Sequence, residues 1–249
     1  LSAHYSQFEW VFADRSVLDL SVLNSIINSL DNIQPQIIIN CAAHTAVDKA
    51  EAETELADVL NHKAVAIMAK WTELNASNII HISTDYVFDG NSRIALTEDA
   101  PTAPINVYGQ TKLAGEQACL REHPSAIIVR TSWVYSSFGN NFVKTMSRLM
   151  RERDQLNVVN DQIGSPTYAA DLAQALLTII THPNWQGGIY NFSNEGESSW
   201  YEFAIAIKEI GSFDCEISGI PSLDYPTPAQ RPQYSLLDKT KIKNTFGVV

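Results

Sequence analysis

Long apolar runs are missing from this sequence: none approaches the ~20 residues that a membrane-spanning helix needs. Positive charge is scarce. Lys and Arg total 17 against 28 Asp and Glu, a net charge of −11. That balance argues against a general nucleic-acid or acidic-membrane binder, while leaving room for a local basic pocket around a phosphate. Cysteine is sparse. Cys41, Cys119 and Cys215 stand far apart, with no CxxC or metal-ligand spacing. They are expected to be buried or partly buried thiols in a reducing cytoplasm, and no metal site is expected. Repeats and low-complexity linkers are also lacking. What is there is the composition of a folded chain, 45% hydrophobic and 18% charged over 249 residues. That length suits one large domain or a domain with a smaller partner.

The pattern along the chain alternates. Residues 8–13 (FEWVFA) read as a strand closed by a turn at 14–16. Residues 21–30 carry a helical apolar stripe, with Ser21 as N-cap. Residues 37–39, 79–82, 126–129, 156–159 and 188–192 read as strands. Residues 53–75, 108–123, 142–153, 169–181 and 200–210 read as helices, and 1–7 as the tail of another. Continuous apolar strands alternating with helices predict an α/β fold with a doubly wound parallel sheet. Beyond about 194 the chain is richer in Pro and Ser and less regular. In such a sheet, ligands sit beyond the carboxyl ends of the strands. Three stretches there draw attention: NCAAHTAVDKAE, STDYVFDG and RTSWVY.

A glycine-rich phosphate turn is absent: no GxGxxG or GxxGxxG occurs. A dinucleotide fold opens with a strand, such a turn and a helix whose N-terminus holds the pyrophosphate. Residues 14–15, Asp-Arg, stand where a charged side chain would meet the adenosine ribose. The reading is therefore a chain that begins within the first helix, with a βα unit of roughly 20–30 residues upstream. The competing reading is that no dinucleotide is bound.

Thr84 follows a buried strand, and Tyr108 and Lys112 open a later helix, four residues apart and so on one face. Ketone reduction needs a hydride on carbon and a proton on oxygen. A free tyrosine titrates near ~10, poorly matched to neutral pH. An ammonium ~4 Å away contributes about 4 kcal/mol at an effective dielectric of 20, or roughly three pKa units. The pair is thus expected to lower the tyrosine only in a sheltered cleft, with the Thr84 hydroxyl bonding the substrate carbonyl. The order Ser/Thr, then Tyr-x-x-x-Lys resembles the extended short-chain dehydrogenase/reductase superfamily.

Longer motifs narrow the resemblance. CAAHTAVDKAE (41–51), STDYVFDG (83–90), NVYGQTKLAGE (106–116), RTSWVY (130–135), GNNFVKTM (139–146), DQIGSPT (161–167) and PTPAQRPQYSLLD (226–238) are similar to the dTDP-4-dehydrorhamnose reductase family over nearly the whole chain. The resemblance implies a Rossmann-like domain at 1–133 and 169–192, and a smaller substrate-binding portion at 134–168 and 193–249. It implies reduction of the C4 ketone of dTDP-6-deoxy-L-lyxo-4-hexulose by NADPH or NADH, giving dTDP-L-rhamnose for surface polysaccharide. Thr84, Tyr108 and Lys112 would be catalytic, with Lys112 also bonding the nicotinamide ribose. Asp19 and Leu20 would flank the adenine, and Ala42 and Ala43 would line the cofactor. Thr45, Val47, Asp85, Tyr86 and Trp133 would contact the sugar, and Arg231 is the candidate for the diphosphate or its neighbourhood.

Other polar residues take plainer readings. His44 is left out of catalysis, Asp48 and Glu51 are expected to cap and charge a helix start, and Glu195 and Glu197 read as a solvated loop. A homodimer is compatible with the resemblance. Some members pair through magnesium-held acids, but Ala170 stands where one such acid is expected. Two rivals remain at this point: a non-catalytic subunit resembling the regulatory β subunit of methionine adenosyltransferase, and a nucleotide-sugar epimerase or dehydratase of the same fold.

Overall fold

A computed structural model describes residues 7–248. The helix tail read at 1–7 lies outside them except for Gln7, a turn residue. Four strands form the main sheet in the order Ile37–Asn40, Asn78–Thr84, Ile127–Thr131, Gly188–Asn191, all parallel. Successive side chains on these strands point to opposite faces, and the core divides accordingly. Ile79 and Ile128 join Ile26, Leu30, Met68 and Trp71 on one side. Ile80, Ile127 and Val129 join Leu172, Leu176, Ile179 and Phe246 on the other. Helices therefore cover both faces, and the fold is an α/β, Rossmann-like one. A second layer packs helices Phe142–Glu152 and Trp200–Gly211 on the parallel pair Gln155–Val159 and Glu216–Ile220.

Several elements differ from the sequence reading. Residues 8–13 carry no strand; no ladder partner pairs with them among the described residues, and a strand exists only through its ladder. Phe8, Trp10 and Phe12 instead pack on one another, at 5.7 and 6.4 Å between ring centroids. The first helix runs Leu23–Ile33 without a side-chain cap, because Ser21 donates to Asp19 Oδ1 at 2.5 Å instead. The long helix at 53–75 is interrupted by a π-helical turn, Val59–Lys63. That turn aims the Asn61 carbonyl at Gly115 so closely that a Cβ there would lie 2.0 Å from the oxygen. Strand Glu216–Ile220 and helix Thr240–Phe246 bring order to the stretch read as irregular. Among the described residues no helix is long and apolar enough to cross a membrane.

Candidate active site

Register puts three strand ends side by side: Asn40 opposite His81, and Thr84 opposite Thr131. The loops that follow share one edge of the sheet, the edge where open α/β folds bind ligands. Helix Val107–Glu122 starts against this edge. Its N-cap, Asn106, accepts from the Gly109 N–H at 2.7 Å and donates to Gln230 O at 2.7 Å. Glu51 accepts from the Val107 N–H at 2.9 Å, so it serves this helix and not the start of its own. Gly109 admits the close approach, since a Cβ would lie 2.2 Å from Tyr86 O. The result sets the Tyr108 ring edge-on to Tyr86, centroids 5.6 Å apart.

Thr84, Asp85, Tyr86 and Tyr108 are brought together. The Thr84 hydroxyl donates to Asp85 Oδ1 at 3.0 Å and accepts from the Tyr86 N–H at 3.2 Å. The same hydroxyl acts on Tyr108, favouring the deprotonated phenol. The tyrosine is not lowered, as the sequence reading expected, but pushed up to about 12, chiefly by burial; the Thr84 bond pulls down and Asp85 pushes up. Lys112 explains the difference. Its amine is buried and donates to Ile82 O at 2.6 Å, with His81 Nε2 at 3.2 Å. Burial lowers it to about 8, against the pull of Glu116.

Asp85 is 2% exposed and its Oδ2 has no hydrogen-bond partner. Burial raises its carboxyl to about 6, offset in part by Ser235 and Thr84. A carboxyl raised from 3.8 binds its proton more tightly folded than unfolded. Its penalty is absent below about pH 4 and grows as pH rises to about 6. Asp85→Asn is therefore expected to stabilise the protein at pH 7 by on the order of 2 kcal/mol and to have little effect at pH 4. Thermal melts at the two pH values check this, and a gain that is equal at both would contradict it.

The remaining candidates are dispersed. Asp19 sits in the loop before the first helix, held at about 2 by Ser21 and then Arg15, and Leu20 beside it is buried. Ala42 and Thr45 are exposed and Ala43 half-buried, on the loop after the first strand, and half-buried Val47 opens the short helix Val47–Ala50 that follows it. Trp133 takes a left-handed backbone, φ 49°, and stacks on Trp200 at 3.6 Å. Arg231 is half-buried and bonded within the chain. It makes two bonds to Asp48, at 2.7 and 3.0 Å, and others to Thr227 and Ala229 O, clasping residues 226–238 onto the 41–51 loop. Asp48 thus holds this clasp from the first turn of helix Val47–Ala50, where it charges the helix start as expected without capping it. His44 pairs with Glu53 at 2.7 Å. Glu195 pairs with Lys243 and Lys239, while Cys41 is exposed and the other two cysteines are buried.

Sequence reasoning passed over Asn40, His81, Glu116 and Ser235. The available signal was a lone histidine inside the apolar run of NIIHIST, fully buried here.

The chain is similar to known proteins over nearly its whole length. The RmlD substrate binding domain model matches residues 2–249. The dTDP-4-dehydrorhamnose reductase of Aggregatibacter actinomycetemcomitans is 42% identical over 252 residues, covering 97% of this chain and 86% of that protein. The spore coat polysaccharide biosynthesis protein SpsK of Bacillus subtilis is 39% identical, covering 95% and 82%. A crystal structure of the Bacillus anthracis dTDP-4-dehydrorhamnose reductase in complex with NADP superposes with a TM-score of 0.93 at 39% identity, covering 97% of this chain and 85% of that one.

Proposed function

The chain belongs to the dTDP-4-dehydrorhamnose reductase family, and we propose that it reduces the C4 ketone of dTDP-6-deoxy-L-lyxo-4-hexulose to dTDP-L-rhamnose. It is an oxidoreductase, and a bound NADPH or NADH supplies the hydride. The observation that supports the site assignment is the Tyr108 ring set edge-on to Tyr86, whose N–H bonds Thr84, at the ligand edge, with the buried Lys112 amine one helical turn further on.

The residues present suit the nicotinamide end of a dinucleotide: a buried amine, and the exposed Ala42 on the loop after the first strand. Lys112 would bond the ribose there, and Ala42 and Ala43 would line the ring. Asp19 and Leu20 are kept as the adenine neighbours. A phenol near 12 holds its proton until negative charge grows on the substrate oxygen, and an alkoxide is the stronger base. Tyr108 then passes its proton to that oxygen. Thr84 steadies the phenol beforehand and, by rotating its hydroxyl off Asp85, donates to the developing oxyanion. Asp85, Tyr86, Thr45, Val47 and Trp133 form the sugar side, with Arg231 shaping it through the clasp. Residues 1–133 and 169–192 act as the cofactor domain, and 134–168 with 193–249 as the substrate portion. We place the reaction in the cytoplasm and a homodimer as the working assembly.

The direct test follows NADPH absorbance with the enzymatically made keto sugar. Turnover that yields dTDP-L-rhamnose supports the reading. No turnover in a folded, NADPH-binding protein would replace it with a regulatory-subunit role.

A further inference from the structure

Asn40 and His81, which the mechanism above leaves unused, form a buried chain with Lys112, at 4%, 0% and 2% exposure. It begins at the Ala42 N–H, which donates to Asn40 Oδ1 at 3.1 Å. That bond fixes the amide, so Asn40 Nδ2 faces His81 Nδ1 at 3.0 Å. An amide nitrogen only donates. His81 Nδ1 is therefore the acceptor, and the neutral ring carries its proton on Nε2.

Nε2 in turn lies 3.2 Å from Lys112 Nζ. A ring N–H facing that nitrogen needs a lone pair there. An ammonium has none, whereas a neutral amine has one and still donates to Ile82 O at 2.6 Å. Every bond in the chain is satisfied with Lys112 uncharged. Charging the amine requires the ring to offer a lone pair at Nε2 and to move its proton to Nδ1. That proton then needs an acceptor where Asn40 Nδ2 now stands. Turning the amide supplies Oδ1, but sets Nδ2 against the Ala42 N–H and releases it.

We propose that His81, set by Asn40, is the positioning residue that governs the charge on Lys112, and that the charged form frees the Ala42 N–H for an acceptor oxygen of the dinucleotide. This rests on the reading of Lys112 as part of the reductase machinery and deepens it. The other groups facing the amine are Glu116 and Cys119 from its own helix and Cys41 from the loop after the first strand. Burial acts against the ammonium and Glu116 acts for it. The ring faces only Asn40 and Lys112 among the described polar contacts, and burial then the lysine's charge keep it neutral.

The test is nitrogen-15 NMR of histidine-labelled protein without substrate or cofactor, with the His81 signals assigned by His81→Gln and Lys112 followed by its side-chain carbon shift. In the wild type, His81 is expected to carry its proton on Nε2 above the Lys112 titration and on Nδ1 below it, without becoming a cation. Asn40→Asp keeps an acceptor for Ala42 but cannot donate to the ring. It is expected to hold His81 as the Nδ1–H tautomer throughout and to move the Lys112 titration up by about one pH unit or more. A wild-type ring that keeps one tautomer on both sides of the titration would overturn the proposal, as would an Asn40→Asp ring that stays protonated on Nε2. Because no turnover is measured, an inactive protein with the expected tautomers would remove the reductase reading and leave the coupling standing.

Discussion

Tyr108→Phe is expected to lower kcat about a thousandfold while NADPH still binds, because a positioned general acid contributes roughly 10²- to 10⁴-fold. The substitution removes one oxygen. The ring keeps its edge-on contact with Tyr86, and the helix keeps its Asn106 cap and its Gly109 approach to Tyr86 O. What disappears is the phenol hydroxyl and the proton it would deliver. Steady-state NADPH oxidation, paired with fluorescence titration of the cofactor, separates chemistry from binding. A variant within tenfold of wild type would mean that another group, with Asp85 the nearest, provides the proton.

Arg130→Met is expected to cost about 3–5 kcal/mol of stability, the penalty of leaving a buried charge unpaired. Arg130 and Glu116 are each 2% exposed and joined by three bonds of 2.7, 3.0 and 3.2 Å. Ser83 adds a 2.5 Å bond to Glu116, and the guanidinium reaches Glu98 O at 3.1 Å. The pair ties the second and third strands to helix Val107–Glu122. Because desolvating both ions is itself costly, the double variant Arg130→Met/Glu116→Leu is expected to regain much of the loss. Urea denaturation of the single and double variants measures both. A single variant within 1 kcal/mol of wild type would mean the pair is not buried as described.

Much of this architecture was legible in the sequence because it depends on local pattern. The runs in Ile37–Asn40 and Asn78–Thr84, and the Asn106 cap ahead of Tyr108, lie in short windows and follow from burial and capping. Glu216–Ile220 was harder to see. Its EISGI offers one clear alternation and a glycine, and it becomes a strand through Gln155–Val159, sixty-one positions earlier. Thr240–Phe246 buries only Ile242 and Phe246, too few for a visible stripe. In the site, residue types pointed to Tyr108 and Lys112, but not to the direction in which the lysine bonds. That direction depends on the Ile82 carbonyl and on His81, which spacing along one helix does not reveal.

The Arg231 clasp bears on the order in which the molecule assembles. Asp48 meets Ala229 and Arg231 across 181 and 183 positions of chain, and Asn106 meets Gln230 across 124. Closing loops of that length carries a large entropic cost before any contact repays it, so such contacts form late. The sheet edge with Thr84 and Tyr108 draws on partners no more than 31 positions apart along the chain and is complete sooner. On the function proposed above, a newly made molecule thus holds its proton-transfer groups before the sugar side of the site is clasped, and competence for substrate is the last property folding confers.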